Sequence, residues 1–371
     1  MTESESQKLL QNEVKTFEDL ENEIIKSNKC CACGACIAYC ESQLFNVIEM
    51  IGYIPGFKSE KSVDNCTKCG VCYYICPQTK ALLKELNDTY DIEDNIGHIV
   101  KILAAKTTNS ALKKVGQNGG VVSAILTHLF EKHKIDAAIV SEFDHNFEPV
   151  PKIIFDKEDL FKSAGTRYSI SSQIFPLKKL YEISQEILMK KEIFDIDQLR
   201  MAFIGTPCQC RAVNKMKFLH VKPAHVIKYI IGLFCFKNFI YDQLYDILKR
   251  ETKVGPTKIK KTWIKKNFFI QTRDNRKFEI DIKTLDPAIR NSCHECDEFT
   301  GRFTDISVGA SGAPEGYSMI LIRNDNGEKV IKNMHSKGII EQFIVPFKNT
   351  IEWKNKKLDW YNKLISLKTK K

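Results

Sequence analysis

The feature that most constrains this chain is a cysteine motif that occurs twice near its amino terminus. The first copy lies in KCCACGACIAYC (29–40) and the second in NCTKCGVCYYICP (65–77). Both have the spacing C-x2-C-x2-C-x3-C, formed by Cys30, Cys33, Cys36 and Cys40 and by Cys66, Cys69, Cys72 and Cys76. Residues 26–80 show little apolar periodicity between these cysteines, so bound metal must supply much of their folding free energy.

This spacing is typical of loops that bind [4Fe–4S] clusters, in which the fourth cysteine of each run binds the neighbouring cluster. We therefore predict one cluster on Cys30, Cys33, Cys36 and Cys76, and a second on Cys66, Cys69, Cys72 and Cys40. Gly34 and Gly70 fit loops whose backbone approaches inorganic sulfur. Glu41 stands where a proline usually follows the run. Structural zinc is the alternative, although zinc sites prefer cysteine pairs that are further apart.

A second set of cysteines lies in three segments further along the chain: Cys208, Cys235, Cys293 and Cys296. Two of these segments follow the apolar runs 201–205 and 226–234, and residues that follow buried strands often form the site of an α/β sheet. The four thiolates could therefore bind a third cluster. Buried core cysteines and a zinc-like C-x2-C pair explain the pattern equally well. Cys31 and Cys210 have no predicted role.

From about residue 100 the pattern alternates between helix and strand. Apolar runs predict strands at 135–143, 152–156, 201–205 and 226–234, and amphipathic periodicity predicts helices at 121–134 and 176–192. Asp156 is expected to cap a helix, and Pro207 to begin one. Two hairpins are expected, at 262–282 with a turn at Asp274–Asn275 and at 317–331 with a turn near Asn326–Gly327. The predicted fold class is α+β or α/β, with a ferredoxin-like two-cluster module before a mixed α/β domain.

Two loops have the composition of a site for an anionic ligand with an aromatic ring. GQNGG (116–120) precedes a predicted helix, whose free N–H groups suit a phosphate or pyrophosphate. SAGTRYSIS (163–171) adds hydroxyls, an arginine and an aromatic ring. The candidate contacts are Gln117, Asn118, Gly119, Gly120, Thr166, Arg167, Tyr168 and Ser169. A glycine pair before a helix is more often a plain turn.

The net charge of +10 is spread along the chain, with basic patches at 260–267 and 352–371. Solvated faces explain these patches better than a nucleic-acid site, because basic and aromatic residues do not alternate in stripes. No apolar run is long enough to span a membrane. The N-terminal sequence has no pattern of a secretory signal, so we expect a cytoplasmic protein. From the charge pattern, we expect no nucleic-acid partner.

Five segments of the chain together resemble the beta subunits of coenzyme F420 hydrogenases and dehydrogenases. They are GQNGGVVSAIL, AGTRYS, IGTPCQ, GLFC and CHECDEFTGRFTDISVGASGAPEGYS. The resemblance covers roughly residues 95–335. It implies FAD beside a cluster, hydride exchange with coenzyme F420, and a third [4Fe–4S] cluster on Cys208, Cys235, Cys293 and Cys296. It also implies that the loops around Gly119–Gly120 and Thr166–Ser169 line the flavin, and that Arg167 and Arg302 are candidates for contact with the anionic coenzyme.

We therefore expect a polar leader at 1–25, a ferredoxin-type domain at 26–85, an FAD domain at 95–345 and a basic tail at 346–371. The expected function is that of a flavin and iron–sulfur oxidoreductase, which moves electrons between coenzyme F420 and a protein partner, such as other oxidoreductase subunits. Three alternatives stay open. They are an electron-transfer subunit without its own substrate site, a ferredoxin-dependent reductase of another substrate, and a zinc-dependent nucleic-acid binder.

Overall fold

The computed structural model describes residues 14–346 and 349–369. Its cysteine-rich part folds around short helices and one hairpin. These elements are α1 (Phe17–Leu20), which continues as a π-helical turn at Glu21–Ile25, α2 (Ala35–Ser42), β1 (Ile48–Ile51), β2 (Ile54–Phe57), α3 (Glu60–Asp64), α4 (Val71–Tyr74) and α5 (Leu83–Thr89). Phe17, Leu20 and Ile24 are buried against Ile37 and Ile48. The described part of the expected leader thus forms one wall of the cysteine-rich region.

The main body is an eight-stranded mixed sheet. Its strands are β3 (Lys101–Thr107), β4 (Ala137–Phe143), β5 (Pro149–Ile154), β6 (Met201–Gly205), β7 (Ile227–Leu233), β11 (Ile306–Gly309), β12 (Ser318–Ile322) and β13 (Ile340–Gln342), in the spatial order β13-β3-β12-β11-β7-β6-β4-β5. Strands β4, β6, β7 and β11 are parallel neighbours, and the outer pairings are antiparallel. The carboxyl ends of the parallel strands therefore meet at one edge, where sites of α/β sheets form.

Helices cover both faces of this sheet because its central strands are apolar on both sides. The helices of the main body are α6 (Ser110–Val115), α7 (Val121–Glu131), α8 (Leu160–Ser163), α9 (Gln185–Lys190), α10 (Pro207–Phe218) and α12 (Asp325–Ser336). On one face, α7 and α12 pack on Ala202 and Ile204. On the other face, Met201 and Phe203 pack on α10 and on the cysteine-rich region. The sheet thus holds the two cysteine-bearing parts of the chain together.

A smaller three-stranded antiparallel sheet lies beside the main body. It consists of β8 (Ile259–Ile264), β9 (Phe268–Thr272) and β10 (Lys277–Ile280), and it packs on α11 (Tyr241–Thr252) through Phe268 and Leu244. The turn predicted at Asp274–Asn275 is confirmed as the connection between β9 and β10. The predicted hairpin at 262–282 gains a third strand, because β8 turns into β9 at 265–267.

Six of the predictions for the main body are confirmed to within a few residues. They are the helix at 121–134, the strands at 135–143, 152–156, 201–205 and 226–234, and the first helical position of Pro207. The single helix predicted at 176–192 is wrong. A 3-10 helix at Phe175–Glu182 ends where Ile183 is extended, and α9 begins after the cap Ser184. Asp156 precedes a 3-10 turn but its side chain pairs with Lys191 instead of capping that turn.

The hairpin predicted at 317–331 is also wrong. Strand β12 is followed directly by helix α12, which contains Asn326 and Gly327 in its first turn. The Asn324 side chain accepts a hydrogen bond from the Gly327 amide at 3.0 Å, which caps this helix.

Within the expected basic tail, one segment is a helix, α13 (Thr350–Thr369). Tyr361 of this helix is fully buried and contacts the rings of Phe234 and Phe299. Among the described residues, no helix combines the length and the apolar character that a membrane span requires.

Candidate functional site

The first group of thiols consists of Cys30, Cys33, Cys36 and Cys76. Three of them lie in the loop before α2 and in its first turn, and Cys76 follows α4. They line one cavity together with Ile24 and Cys31. Cys76 interacts electrostatically with Cys30, Cys33 and Cys36. The structure thus brings the last cysteine of the second motif to the first three of the first motif, as the predicted pairing requires.

The second group of thiols is the reciprocal set Cys40, Cys66, Cys69 and Cys72. Cys72 interacts electrostatically with Cys69, Cys66 and Cys40. Cys40 and Cys72 are buried, whereas Cys69 is exposed. This group therefore lies at the surface, and the first group lies deeper.

Gly34 and Gly70 have left-handed backbone conformations, with φ of 86° and 75°, at the starts of α2 and α4. A Cβ at Gly34 would lie 2.9 Å from the amide nitrogen of Phe175, and one at Gly70 would lie 2.6 Å from the carbonyl oxygen of Lys15. Both glycines are therefore required by backbone conformation and by close packing, whatever the loops bind.

The third group of thiols consists of Cys208, Cys235, Cys293 and Cys296. Cys208 lies in the first turn of α10 after β6, and Cys235 follows the parallel neighbour β7. Cys293 ends the 3-10 turn Asn291–Cys293, and Cys296 follows in the next loop. Cys293 and Cys296 each interact electrostatically with Cys208. Cys235 interacts electrostatically with the other three cysteines of the group. Four thiols from three distant segments thus meet at the carboxyl edge of the sheet.

Cys31 joins the first and third groups. Its side chain is in hydrogen-bonding contact with Cys33 on one side and with Cys208 on the other. Arg290, just before Cys293, donates two hydrogen bonds to the carbonyl oxygen of Cys30, at 2.9 and 2.6 Å. The groups therefore follow one another in the order third, first, second. Cys210 lies outside them, since its thiol is fully buried in the core and donates to the Gly205 carbonyl.

The environment of these thiols disfavours free thiolates. Burial raises the pKa of Cys76 and of Cys293 to about 11, and neighbouring thiolates add to the effect. A cluster binds thiolates, so its assembly here must release protons. Within the described ranges, no three His, Cys, Asp or Glu side chains are spaced as ligands of a single metal ion. The fit to clusters rests on four thiols in each group and on their pairing across the two motifs.

Two buried lysines contact the cysteine backbone. Lys215 of α10 is fully buried and donates to the carbonyl oxygen of Cys76 at 2.6 Å and to that of Thr79 at 2.9 Å. Burial lowers the pKa of Lys215 to about 8. Lys368 of α13 donates to the carbonyl oxygens of Cys235, at 3.0 Å, and Glu298. Sequence analysis missed both residues, and the signal for Lys368 was its place three residues after Ile365 and seven after Tyr361, on the packed face of the helix.

The two candidate flavin loops meet. The Gln117 side chain donates to the Tyr168 hydroxyl at 3.3 Å, and the Tyr168 hydroxyl accepts the Ile264 amide at 3.0 Å. The backbone of Gly119 lies against β3 and β12, where its amide donates to the Ser318 hydroxyl at 3.1 Å. Asn118 and Gly120, the cap of α7, both have positive φ. Thr166 is half-buried and its side chain interacts with Tyr168.

Arg167 is largely committed to its own loop. Its guanidinium donates to the carbonyls of residues 162–165 and lies 4.5 Å from the ring centre of Phe143. Arg302 is buried and donates to Glu298, Asp297 and Asn95. Arg167 thus has a buried Nε without a partner, and Arg302 binds carboxylates of this chain.

Several of the buried polar atoms without hydrogen-bond partners belong to the candidate flavin loops or to segments next to the third group. They are Gln117 Oε1, Arg167 Nε, Ser169 Oγ, Asn238 Oδ1 and Ser292 Oγ. Ser169 pairs with Phe239, the neighbour of Asn238, and the Asn238 carbonyl accepts from the Arg290 amide and the Cys293 thiol. Because buried polar groups are normally hydrogen-bonded, these atoms are candidates for contact with a polar ligand. Asn238 and Ser292 were not predicted from the sequence.

The fold and the cysteines define a class: a mixed α/β protein with an eight-stranded mixed sheet and a cysteine-rich N-terminal region. Two family models match the chain. They describe the N-terminal and C-terminal parts of the coenzyme F420 hydrogenase/dehydrogenase beta subunit, and they match residues 102–178 and 198–343 respectively. The chain belongs to this family of oxidoreductase beta subunits. The matched ranges begin after the cysteine-rich region.

Individual proteins and one solved structure are also similar to this chain. An uncharacterized protein of Methanocaldococcus jannaschii is 31% identical over 96% of this chain and 98% of its own length. The beta subunit of the coenzyme F420 hydrogenase of Methanosarcina barkeri is 29% identical, over 67% of this chain and 84% of its own length. Among solved structures, a chain from the F420-reducing [NiFe] hydrogenase complex of Methanosarcina barkeri matches with a TM-score of 0.61 and 26% identity. That match covers 73% of this chain and 92% of the other.

Proposed function

We propose that this protein exchanges hydride with coenzyme F420 and passes single electrons to or from a protein partner. The observation that carries the proposal is the spatial order of the three thiol groups. They run from a partly buried group at the edge of the family-matched sheet to a surface group that includes the exposed Cys69. Such an order suits electron transfer between a buried site and a partner.

Each thiol group would hold one [4Fe–4S] cluster, and the unpartnered groups of Gln117, Arg167, Ser169, Asn238 and Ser292 would contact FAD. The clusters would supply one-electron transfer, and FAD would supply the exchange between hydride and single electrons. The chain's own residues position these groups. Parallel strands β6 and β7 bring Cys208 and Cys235 together, and Arg290 fixes the Cys30 backbone against the third group.

The candidate flavin loops supply hydrogen-bonding groups and exclude water. Ser169 and Ser292 are buried, with 3% and 5% of their surface exposed, so an unpartnered hydroxyl at either position favours a ligand with polar ring atoms. The free amides at the start of α7, together with its dipole, would bind the pyrophosphate. Charge at the surface would bind the anionic coenzyme, and the net charge of +10 suits that role.

The test is anaerobic mixing of the reconstituted protein with reduced F420. We expect oxidation of F420, loss of the oxidised flavin absorbance and the appearance of electron paramagnetic resonance signals from reduced clusters. Reduced nicotinamide coenzyme serves as the matched control donor. Clusters without flavin and without any reaction with F420 would contradict the proposal and indicate an electron-transfer subunit. A reaction with another donor alone would indicate a reductase of a different substrate.

A further inference from the structure

Helix α13 packs on the third thiol group through one face. Tyr361, Ile365 and Lys368 are spaced i, i+4 and i+7, and their exposed fractions are 0%, 4% and 2%. The first two residues are apolar or aromatic, as expected for the packed side of a helix. The third is a lysine, and burial of an ammonium group is costly unless a nearby negative charge compensates it. Lys368 therefore requires a specific explanation.

The contacts of Lys368 place its charge between the segments that carry the third group. Its ammonium donates to the carbonyl oxygen of Cys235 at 3.0 Å and to the carbonyl oxygen of Glu298. The same Glu298 carbonyl lies 3.7 Å from the Cys296 thiol, and the Cys235 amide donates to the Phe299 carbonyl at 3.0 Å. In the part of the chain that the structure describes, no carboxylate forms an ion pair with Lys368. Its ammonium interacts electrostatically with Cys296, Cys235 and Cys293, whose thiolates in a bound cluster would be its nearby negative charge.

We propose that Lys368 is a positioning residue that stabilises the reduced state of a cluster at the third group. This inference rests on the proposed function, because it requires the third group to hold a cluster. Reduction adds one electron and no proton, so the cluster and its thiolates become one unit more negative. A fixed positive charge in a poorly screened interior favours that more negative state. Lys368 therefore raises the reduction potential and draws electrons toward the third group.

The first group also has a buried lysine that donates to the carbonyl oxygen of one of its cysteines. Lys215 is fully buried and donates to the Cys76 carbonyl at 2.6 Å. Among the residues that the structure describes, no lysine or arginine donates to a carbonyl oxygen of the second group, whose cysteine Cys69 is exposed. The two inner groups thus carry buried cations close to their cysteines, and the surface group lacks this arrangement.

The test compares Lys368→Met and Lys368→Gln with Lys368→Arg and with Lys363→Met, an exposed position on the same helix. Iron is counted in each reconstituted full-length variant, and the cluster potentials are measured by anaerobic redox titration followed by electron paramagnetic resonance. We expect both neutral variants to lower the potential of one cluster by about 59 mV, which is a tenfold change in the ratio of reduced to oxidised cluster for a one-electron couple. Lys368→Arg and Lys363→Met should leave it unchanged.

The outcomes separate this inference from the proposed function. A wild-type protein that binds no cluster at the third group contradicts the proposed function itself. A wild-type protein with all clusters, together with neutral variants that keep their iron and their potentials, overturns the role of Lys368 alone. Loss of about four iron atoms from both neutral variants but not from Lys368→Arg supports the need for charge at this position. The same loss in Lys368→Arg overturns the inference, because the position would then act through packing.

Discussion

The side chains of Cys31 and Cys208 are in hydrogen-bonding contact, although they lie 177 positions apart in the sequence, and this contact connects the first thiol group to the third. Cys31 also contacts Cys33, which belongs to the first group. A cysteine that neither motif requires is thus the point where the cysteine-rich region meets the edge of the main sheet. Its position predicts a role in connecting two clusters without binding either.

The first prediction concerns that role. Cys31→Ala should retain all the iron of the wild-type protein, because both neighbouring groups keep four thiols. Iron and acid-labile sulfide per chain provide the measurement. A loss of about four iron atoms would show instead that Cys31 is a ligand, and the assignment of Cys30 or Cys208 would then be wrong.

The second prediction tests the third group. Cys296→Ser should lower the iron content by about four atoms per chain and leave the signals of the other two clusters in place. The matched control is Cys210→Ser, since that thiol is buried in the core next to the Gly205 carbonyl and lies outside the group. An equal loss of iron from both variants would mean that the effect is a general failure of folding.

The third prediction concerns the glycine loop before α7. A Cβ at Gly119 would lie 2.6 Å from the Ala105 carbonyl oxygen and 2.7 Å from the Ser318 amide nitrogen, so Gly119→Ala must displace the loop. We expect this variant to lose bound FAD, measured as flavin released on denaturation, and to keep its iron. Gly255→Ala is the control, because its new methyl group would meet no atom within 4 Å. Full flavin content in Gly119→Ala would exclude this loop from the flavin site.

The fourth prediction is a pH dependence of stability. Burial, followed by repulsion from Lys337 and Lys132, lowers the pKa of His128 below its ordinary value of 6.5, while Glu131 and Asn333 oppose the shift. Between the two pKa values, the unfolded chain then binds more protons than the folded one. The contribution of neutral His128 to the free energy of unfolding is therefore complete above pH 6.5 and is lost as the pH falls through the lowered pKa. Urea unfolding at pH 7.5 and 5.5 measures it.

We expect a smaller loss of stability at the lower pH in His128→Gln than in the wild-type protein. His133→Asn, at an exposed position with a left-handed backbone that asparagine tolerates, should behave like the wild type. An equal pH dependence in His128→Gln and the wild type would refute the role of this histidine.

Local patterns predicted much of the arrangement. The repeated spacing of the cysteines anticipated that Cys76 would join Cys30, Cys33 and Cys36, because this exchange follows from the geometry of the motif. The apolar runs before Cys208 and Cys235 predicted two buried strands. That these strands are parallel neighbours depends on the topology of the sheet, which no local pattern encodes.

The wrong hairpin prediction and the missed burial of Lys368 each have a physical cause. The Asn326–Gly327 pair resembles a hairpin turn, but Asn324 caps a helix whose packed residues Val330, Ile331 and Met334 have helical spacing. The burial of Lys368 could not be predicted from charge, because a lysine-rich segment normally lies in solvent. Tertiary packing of Tyr361 on Phe234 carries this lysine inward.

The most direct test of the central claim is a count of iron, acid-labile sulfide, zinc and FAD per chain in protein prepared and reconstituted without oxygen. We expect about twelve iron atoms, about as many sulfides and one FAD, because three groups of four thiols would each hold one [4Fe–4S] cluster. Zinc without iron or sulfide, in a preparation that also lacks flavin, would contradict it.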